Sequence, residues 1–255
     1  MNRSRLFVVA AVAALPAAGI FSTEAYAGGL SGSSSATILN ANATLGPSGD
    51  PAGAAPLTLP NAVLATGSAP PAYNVRNKLA SYTKSVTSAN GITLNVSALG
   101  IGDTALSLKP PVPSLQTTAI SNVDNLSATL ASAVPGIGTF FTFSGTSIES
   151  KAAFRINSHG GISYTGSAAI GSITINAPYL GINNVTFSGK PTVNQILFQN
   201  AAQTLTIYLN AQTTTTASGK LASVKVDAVD VHFANFSALG ATVSGDLEIG
   251  STSAN

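Results

Sequence analysis

The chain of 255 residues has no cysteine, no tryptophan and a single methionine, and only 8% of its positions are charged. Without cysteine there is no disulfide to hold the fold and no thiol to act as nucleophile or redox group. A chain this long can dispense with disulfides because it can bury a large core. Without tryptophan the preferred stacking platform for sugars is missing. The shortage of charge excludes most. Ordinary soluble domains carry roughly 25% charged residues, so here Thr, Ser, Asn and Gln must supply solubility. Such a neutral surface of hydroxyls and amides suits an extracellular setting, a carbohydrate-rich wall or packing against copies of itself. Eleven Lys and Arg stand against nine Asp and Glu, with no basic run. Nucleic acid and anionic membranes require clustered cations to displace counterions, so neither is an expected partner.

The N-terminus has the three parts of a secretory signal. Arg3 and Arg5 give a positive start, residues 6–21 form an apolar run, and Ala25-Tyr26-Ala27 supplies a small-x-small cleavage pattern. The run is shorter than the roughly 20 residues that cross a bilayer as a helix. The expectation is therefore a cleaved signal over 1–27 and export, to the medium or the cell surface. No later stretch is long and apolar enough to be an integral membrane segment. Residues 28–35, rich in Gly and Ser, read as a flexible leader, and 36–255 as a β-rich domain. Two subdomains with a boundary near 135–146 would also fit.

Forty-five per cent hydrophobic residues in periodic segments argue against disorder. The dominant period is two, the mark of half-buried strands. In residues 148–156, Ile148, Ser150, Ala152, Phe154 and Ile156 share one face, and Glu149, Lys151 and Arg155 the other. A turn at residues 158–161 leads to Ile162, Tyr164, Ala168 and Ile170 on the same parity. Asn90-Gly91 predicts a second hairpin, running into Ile92, Leu94, Val96 and Ala98. A third pairs residues 204–216, with Leu205, Ile207 and Leu209 inward, with residues 221–233. In that last strand Val224 and Val226 have one parity and Val229, Val231 and Phe233 the other. Because a one-residue shift reverses the faces, a β-bulge near Ala228 is predicted. The final strand alternates through Val243, Leu247 and Ile249. Two stretches also fit a helical stripe: Val75, Leu79, Tyr82 and Val86, and Ile120, Val123, Leu130 and Val134. The fold expected is an all-β antiparallel sandwich or barrel of short strands with at most one or two short helices.

The second half of the chain carries a family resemblance. Its pieces are Val185-Thr186-Phe187-Ser188-Gly189, Val193-Asn194-Gln195-Ile196, the segment from Leu205 to Gln212, Val226-Asp227-Ala228-Val229-Asp230-Val231-His232, and Gly245 to Ser251. In this order, over residues 182–254, they resemble exported bacterial proteins of the choice-of-anchor P type. The resemblance implies a secreted or surface β-domain, found mainly in Gram-positive actinobacteria, with no established site to carry over. That family is named for variable C-terminal anchors. No sorting motif or hydrophobic tail precedes Asn255, so free secretion or non-covalent retention is expected.

Little in the sequence points to catalysis. His159 sits in a Gly-rich turn. His232 lies near Asp227 and Asp230, and the predicted bulge would send Lys225, Asp227, Asp230 and His232 to one side of the sheet. Asp227, Asp230 and His232 are thus the candidate cation ligands or acid–base pair, although a fourth ligand and a HExxH-type spacing are missing. The bland alternative is a solvated strand face. No Gly-x-Ser-x-Gly elbow is present, and the acids are too scattered for a glycosidase pair. The run Thr213-Thr214-Thr215-Thr216 is too short for an ice-binding ladder, which needs regular layers. The expectation is a non-enzymatic structural or interaction protein of the envelope or extracellular matrix, without cofactor. It would act on itself through sheet edges such as residues 204–210, or on wall and matrix components. A module binding a glycan or small apolar ligand in a cleft lined by Phe140, Phe141, Phe143 or Tyr179 is the alternative.

Overall fold

Long period-two stretches broken by Gly- and Pro-containing connections make strands, because a strand can then place alternate side chains in one apolar interior. The computed structural model describes residues 31–47, 55–59, 64–87, 91–107, 114–132, 138–157, 159, 161–217, 220–238 and 241–255. The signal segment 1–27 lies outside them. In chain order the strands are β1 (Gly32–Pro47), β2 (Ala55–Leu59), β3 (Leu64–Ala69), β4 (Tyr73–Thr87) and β5 (Ile92–Ser107). Next come β6 (Leu115–Ser132), β7 (Thr139–Ile156), β8 (Ile162–Ala177) and β9 (Ile182–Gly189). The last four are β10 (Gln195–Gln199), β11 (Leu205–Ala217), β12 (Lys220–Ala238) and β13 (Ala241–Ala254). A single 3-10 turn, Pro178–Leu180, joins β8 to β9 among the described residues.

Two antiparallel sheets result. One runs β10-β11-β12-β13-β1-β2, with β3 also on β1; the other is the meander β4-β5-β6-β7-β8-β9. They stack face to face, β1 over β5 and β6, β13 over β6 and β7, and β12 over β7 and β8. The fold is therefore an all-β antiparallel sandwich. All three hairpins read from the sequence are present as β7–β8, β4–β5 and β11–β12. The tip residues 88–90, 158 and 160 lie outside the described residues. Gly32 to Ser35, expected in a flexible leader, instead open β1. Ser33 and Asn255 exchange backbone hydrogen bonds of 3.1 and 2.9 Å, and the Ser34 hydroxyl donates to the Thr118 carbonyl. The leader reading failed because the partners of these serines, Asn255, Thr118 and Ser253, are far away in the chain.

A reversal of faces at Ala228 is present, but not as a bulge. Val224, Val226, Val229 and Val231 are fully buried and Phe233 nearly so. In β11, β12, β13 and β1 the ladder passes from Leu209, Val229, Ile249 and Leu39 directly to Ala211, Asp227, Ser251 and Thr37. Each strand thus skips one residue at the same level: Asn210, Ala228, Gly250 and Ile38. Register is kept, whereas a bulge would add a residue to one strand only. The other sheet repeats the device at Ala80, Gly100, Asp124, Ser147 and Gly171. Positive φ falls on alternate strands of each row, at Asn210 (50°) and Gly250 (60°), and at Gly100 (63°) and Ser147 (49°). A left-handed residue costs roughly 1–2 kcal/mol. An unreversed β12 would expose two or three large apolar side chains at about 1.5–3 kcal/mol each. Burial wins.

The same rows explain the two helix-like stripes, which are β4 and β6. Across a skipped residue the inward positions step by three, as from Leu79 to Tyr82 in β4 and from Val123 to Leu126 in β6, whereas Ile120, opposite Lys151, lies on the outer face. That spacing mimics a helix face in the sequence. Val134 lies outside the described residues.

Candidate functional site

The skip at Ala228 sends Lys225, Asp227, Asp230 and His232 to the outer face of β12, as expected. The neighbouring strand β13 places Glu248 opposite Asp230 and Asp246 opposite His232. Lys225 Nζ lies 2.5 Å from Glu248 Oε1 and 3.2 Å from Asp227 Oδ2. Asn40 of β1 donates to the other Glu248 oxygen at 3.0 Å. His232 Nδ1 is 2.5 Å from Asp246 Oδ1. The histidine therefore pairs with an acid on the next strand, not with Asp227 or Asp230. Cross-strand distances set that choice, because directly opposite side chains on one face are the nearest neighbours.

Four carboxylates and one ammonium meet on this face, with an imidazole at its end. Asp227 is 5% exposed, and one oxygen each of Asp227 and Asp230 is buried without a hydrogen-bond partner. Burial raises the Asp230 pKa to about 8, with the charges of Asp246, Asp227 and Glu248 adding to the rise and Lys225 opposing it. Asp227 is raised too, first by burial and then by Glu248, against Lys225. Burial pulls the Lys225 pKa down, but Asp227 and Glu248 outweigh it and the net shift is upward. Among the described residues no three His, Asp or Glu side chains are arranged to hold a metal ion. Asp227 thus shares the Lys225 ammonium with Glu248, Asp230 lies opposite Glu248, and His232 pairs with Asp246.

Lys225→Ala is expected to destabilise the protein at pH 8 by on the order of 1–2 kcal/mol. That is less than the 3–5 of a fully buried pair because the ammonium is partly solvated. Chemical denaturation of variant and parent reads the difference. An unchanged midpoint would show that water, and not Lys225, neutralises Asp227 and Glu248.

His159 is exposed in its turn, where Asn157 Oδ1 accepts from the His159 and Gly161 backbone N–H groups at 2.9 and 2.8 Å. Phe141 and Phe143, expected to line a cleft, are 3% and 1% exposed and fill the core. They lie on the inward parity of β7. Tyr179 is 56% exposed on the 3-10 turn, and the Phe140 side chain lies outside the described residues. Residues 204–210, expected at a sheet edge, belong mainly to β11, which β10 covers through Gln195↔Leu209 to Gln199↔Thr206.

The outer face of the six-stranded sheet carries an array that no local pattern foretells. Thr83, Ser97, Ser127, Ser144, Thr174 and Thr186 stand directly opposite one another, one from each strand from β4 to β9. Ser85, Asn95, Thr129, Thr142 and Asn176 make the next row, and Ser81, Leu99, Asn125, Thr146 and Ser172 the one on the other side. These rows carry no ionisable group. Strand spacing sets the hydroxyls roughly 4.8 Å apart along a row. A shallow groove of about 290 Å³ opens on this face, beside the skipped row, lined by Ser97, Leu99, Asn125, Ser127, Thr146 and Ser172 among others. Leu99 is 49% exposed there. The layered array that the threonine run of 213–216 cannot form is thus present on another surface. Period two turns Asn95 and Ser97 away from Leu94, Val96 and Ala98, but only pairing aligns them with the other strands.

The structure defines an all-β antiparallel sandwich with a charge network on one sheet and a neutral hydroxyl array on the other. Comparisons with protein-family models, curated proteins and solved structures find no match to this chain.

Proposed function

We propose that this is a non-catalytic structural or interaction protein of the bacterial envelope or extracellular matrix, secreted or held at the cell surface. The observation that carries this reading is the uncharged array of hydroxyl and amide side chains running across all six strands of the β4–β9 sheet. Such an array offers many weak hydrogen bonds at a fixed repeat, with the exposed Glu149, Lys151 and Arg155 of the same face lying beyond the skipped row. It fits an extended neutral surface better than a compact ligand. The secretory pattern of residues 1–27, the scarcity of charge and the resemblance of residues 182–254 to choice-of-anchor P proteins support the same setting. The partners proposed are wall or matrix components and further copies of the protein. Fractionation of the producing cell is the test. The protein is expected with washed surface material, and Ser127→Glu combined with Ser144→Glu should shift at least half of it to the medium. Wild-type protein found wholly in the medium, bound to no wall or matrix material and monomeric at high concentration, would sink the proposal.

The groove at Ser97, Leu99 and Asn125 favours a second reading, a module for a neutral glycan. Its hydroxyl-to-hydroxyl spacing is close to the length of one pyranose unit, and Leu99 supplies an apolar patch for a sugar face. Pull-down on insoluble neutral polysaccharides decides this. Leu99→Asp should abolish retention, and no retention of the wild type on any of them removes the reading.

A further inference from the structure

The pairing of β11 stops short on one side. β10 covers it only as far as Leu209, whereas β12 accompanies it to Ala217. The Gln212 N–H, pointing away from β12, is capped by Asn194 Oδ1 at 2.6 Å. Successive residues of a strand present their backbone groups to opposite sides. Thr214 and Thr216 therefore aim N–H and C=O outward, and Thr213 and Thr215 aim theirs at β12. Among the described residues no strand pairs with residues 213–217 on the outward side.

Unpaired edges invite pairing with another chain unless they are blunted, and the other edges here are blunted, save residues 162–169 of β8, which run past the end of β9 and are weakened as a strand by Gly166. β4 carries Arg76, Lys78 and Lys84. β10 has five residues and a register shift between Ile196 and Phe198. β9 has two register shifts against β8, β2 contains Pro56, and β3, which also edges the sheet beside β1, is only six residues long. Residues 213–216 have no Lys, Pro or other charge, and all four threonines are exposed. The one irregularity beside them, the shift between Thr215 and Thr216, is an extra residue in β12, Ala222, and leaves β11 regular. Val193, adjoining the Asn194 cap, is 56% exposed, apolar surface next to the open edge.

We propose that residues 213–215 of β11 pair with the same residues of a second copy, antiparallel about a two-fold axis at Thr214. The two seven-stranded sheets then join into one. A two-fold contact is self-complementary, so threonine meets threonine, a favourable cross-strand pair, and no like charges oppose. The contact is short. It falls below the roughly 1,200 Å² of a stable specific interface, so the dimer forms and dissociates with concentration. This deepens the function proposed above by naming one partner, and its test is separate from surface retention.

The exported protein, collected after secretion, is examined by sedimentation over a concentration series, with a monomer–dimer equilibrium expected. Thr214→Pro removes an outward N–H and leaves the β12 ladder intact; it should raise the dissociation constant at least tenfold with an unchanged circular dichroism spectrum. Thr214→Lys should do the same by repulsion across the axis. Because the chain has no cysteine, Thr214→Cys should give a disulfide-linked dimer on air oxidation, whereas Ser127→Cys should stay monomeric. A protein monomeric at every concentration, or Thr214→Cys no more readily linked than Ser127→Cys, overturns the pairing. Retention at the cell surface by Thr214→Pro would leave the functional reading standing even so.

Discussion

Replacing Asp103 by Asn is expected to raise the thermal midpoint at pH 8 and leave it nearly unchanged at pH 4. Asp103 lies on β5 between the sheets, 1% exposed, with neither carboxyl oxygen hydrogen-bonded. Its neighbour across the ladder, Ser121, lowers its pKa only in part, because the Ser121 hydroxyl donates to the Thr37 carbonyl at 3.3 Å. Burial accordingly pushes the carboxyl from 3.8 up to about 7. The native state then holds a proton that the unfolded chain has released, so stability falls with rising pH. The loss is absent below the unfolded value of 3.8, accumulates towards 7 and is complete above it. A shift of this size is worth about 4 kcal/mol at 1.36 kcal/mol per unit. For a domain this long that is roughly 10 °C.

Asp227 and Asp230 act with the same sign, Asp230 up to about 8. Wild-type stability is therefore expected to fall from pH 4 to pH 9, and Asp103→Asn to remove the part lost below pH 7. Scanning calorimetry across pH checks this. A variant whose midpoint runs parallel to the wild type would show that Asp103 is ionised and solvated in the folded protein.

Gly250→Val is expected to cost about 3–4 kcal/mol, and Gly250→Ala about 1–2. Gly250 is the skipped residue of β13, at φ +60°, where a side chain crowds the following carbonyl and a β-branched one more so. A Cβ added there would lie 3.3 Å from the Ala228 Cβ, 3.6 Å from Ser150 Oγ and 3.8 Å from Ile148 Cγ2. Alanine thus carries mainly the backbone strain. Valine adds two methyls that must displace the facing strand. Urea denaturation gives both values. A valine variant within 1 kcal/mol of the wild type would mean that the β13 skip can shift to another residue, and that the row is not fixed by packing.

These two positions differ in what the sequence foretells of them. The reversal at Ala228 was legible because five large apolar residues of one strand changed parity around it. That every neighbouring strand skips a residue at the same level was not. The partners of Ala228, namely Asn210, Gly250 and Ile38, show their alignment only once the strands pair. The same blindness turned the three-residue step at Asp124 into an apparent helix stripe. Asp227, Asp230 and His232 were correctly placed on one outer face. Their partners Asp246, Glu248 and Asn40 belong to strands whose position beside β12 no local pattern reveals.

By itself the sequence determined the class of fold, the inward and outward sets in β5, β7, β8, β11, β12 and β13, and the shortage of charge. Each follows from side-chain alternation and composition, which are local. Only the tertiary structure decided which acid meets His232, that six hydroxyls from six strands form one row, that Asp103 is enclosed, and that β10 leaves the last residues of β11 uncovered. Each of these depends on which strands lie side by side and in what register, and that is set by contacts between residues far apart in the chain, the terminal strands β1 and β13 included.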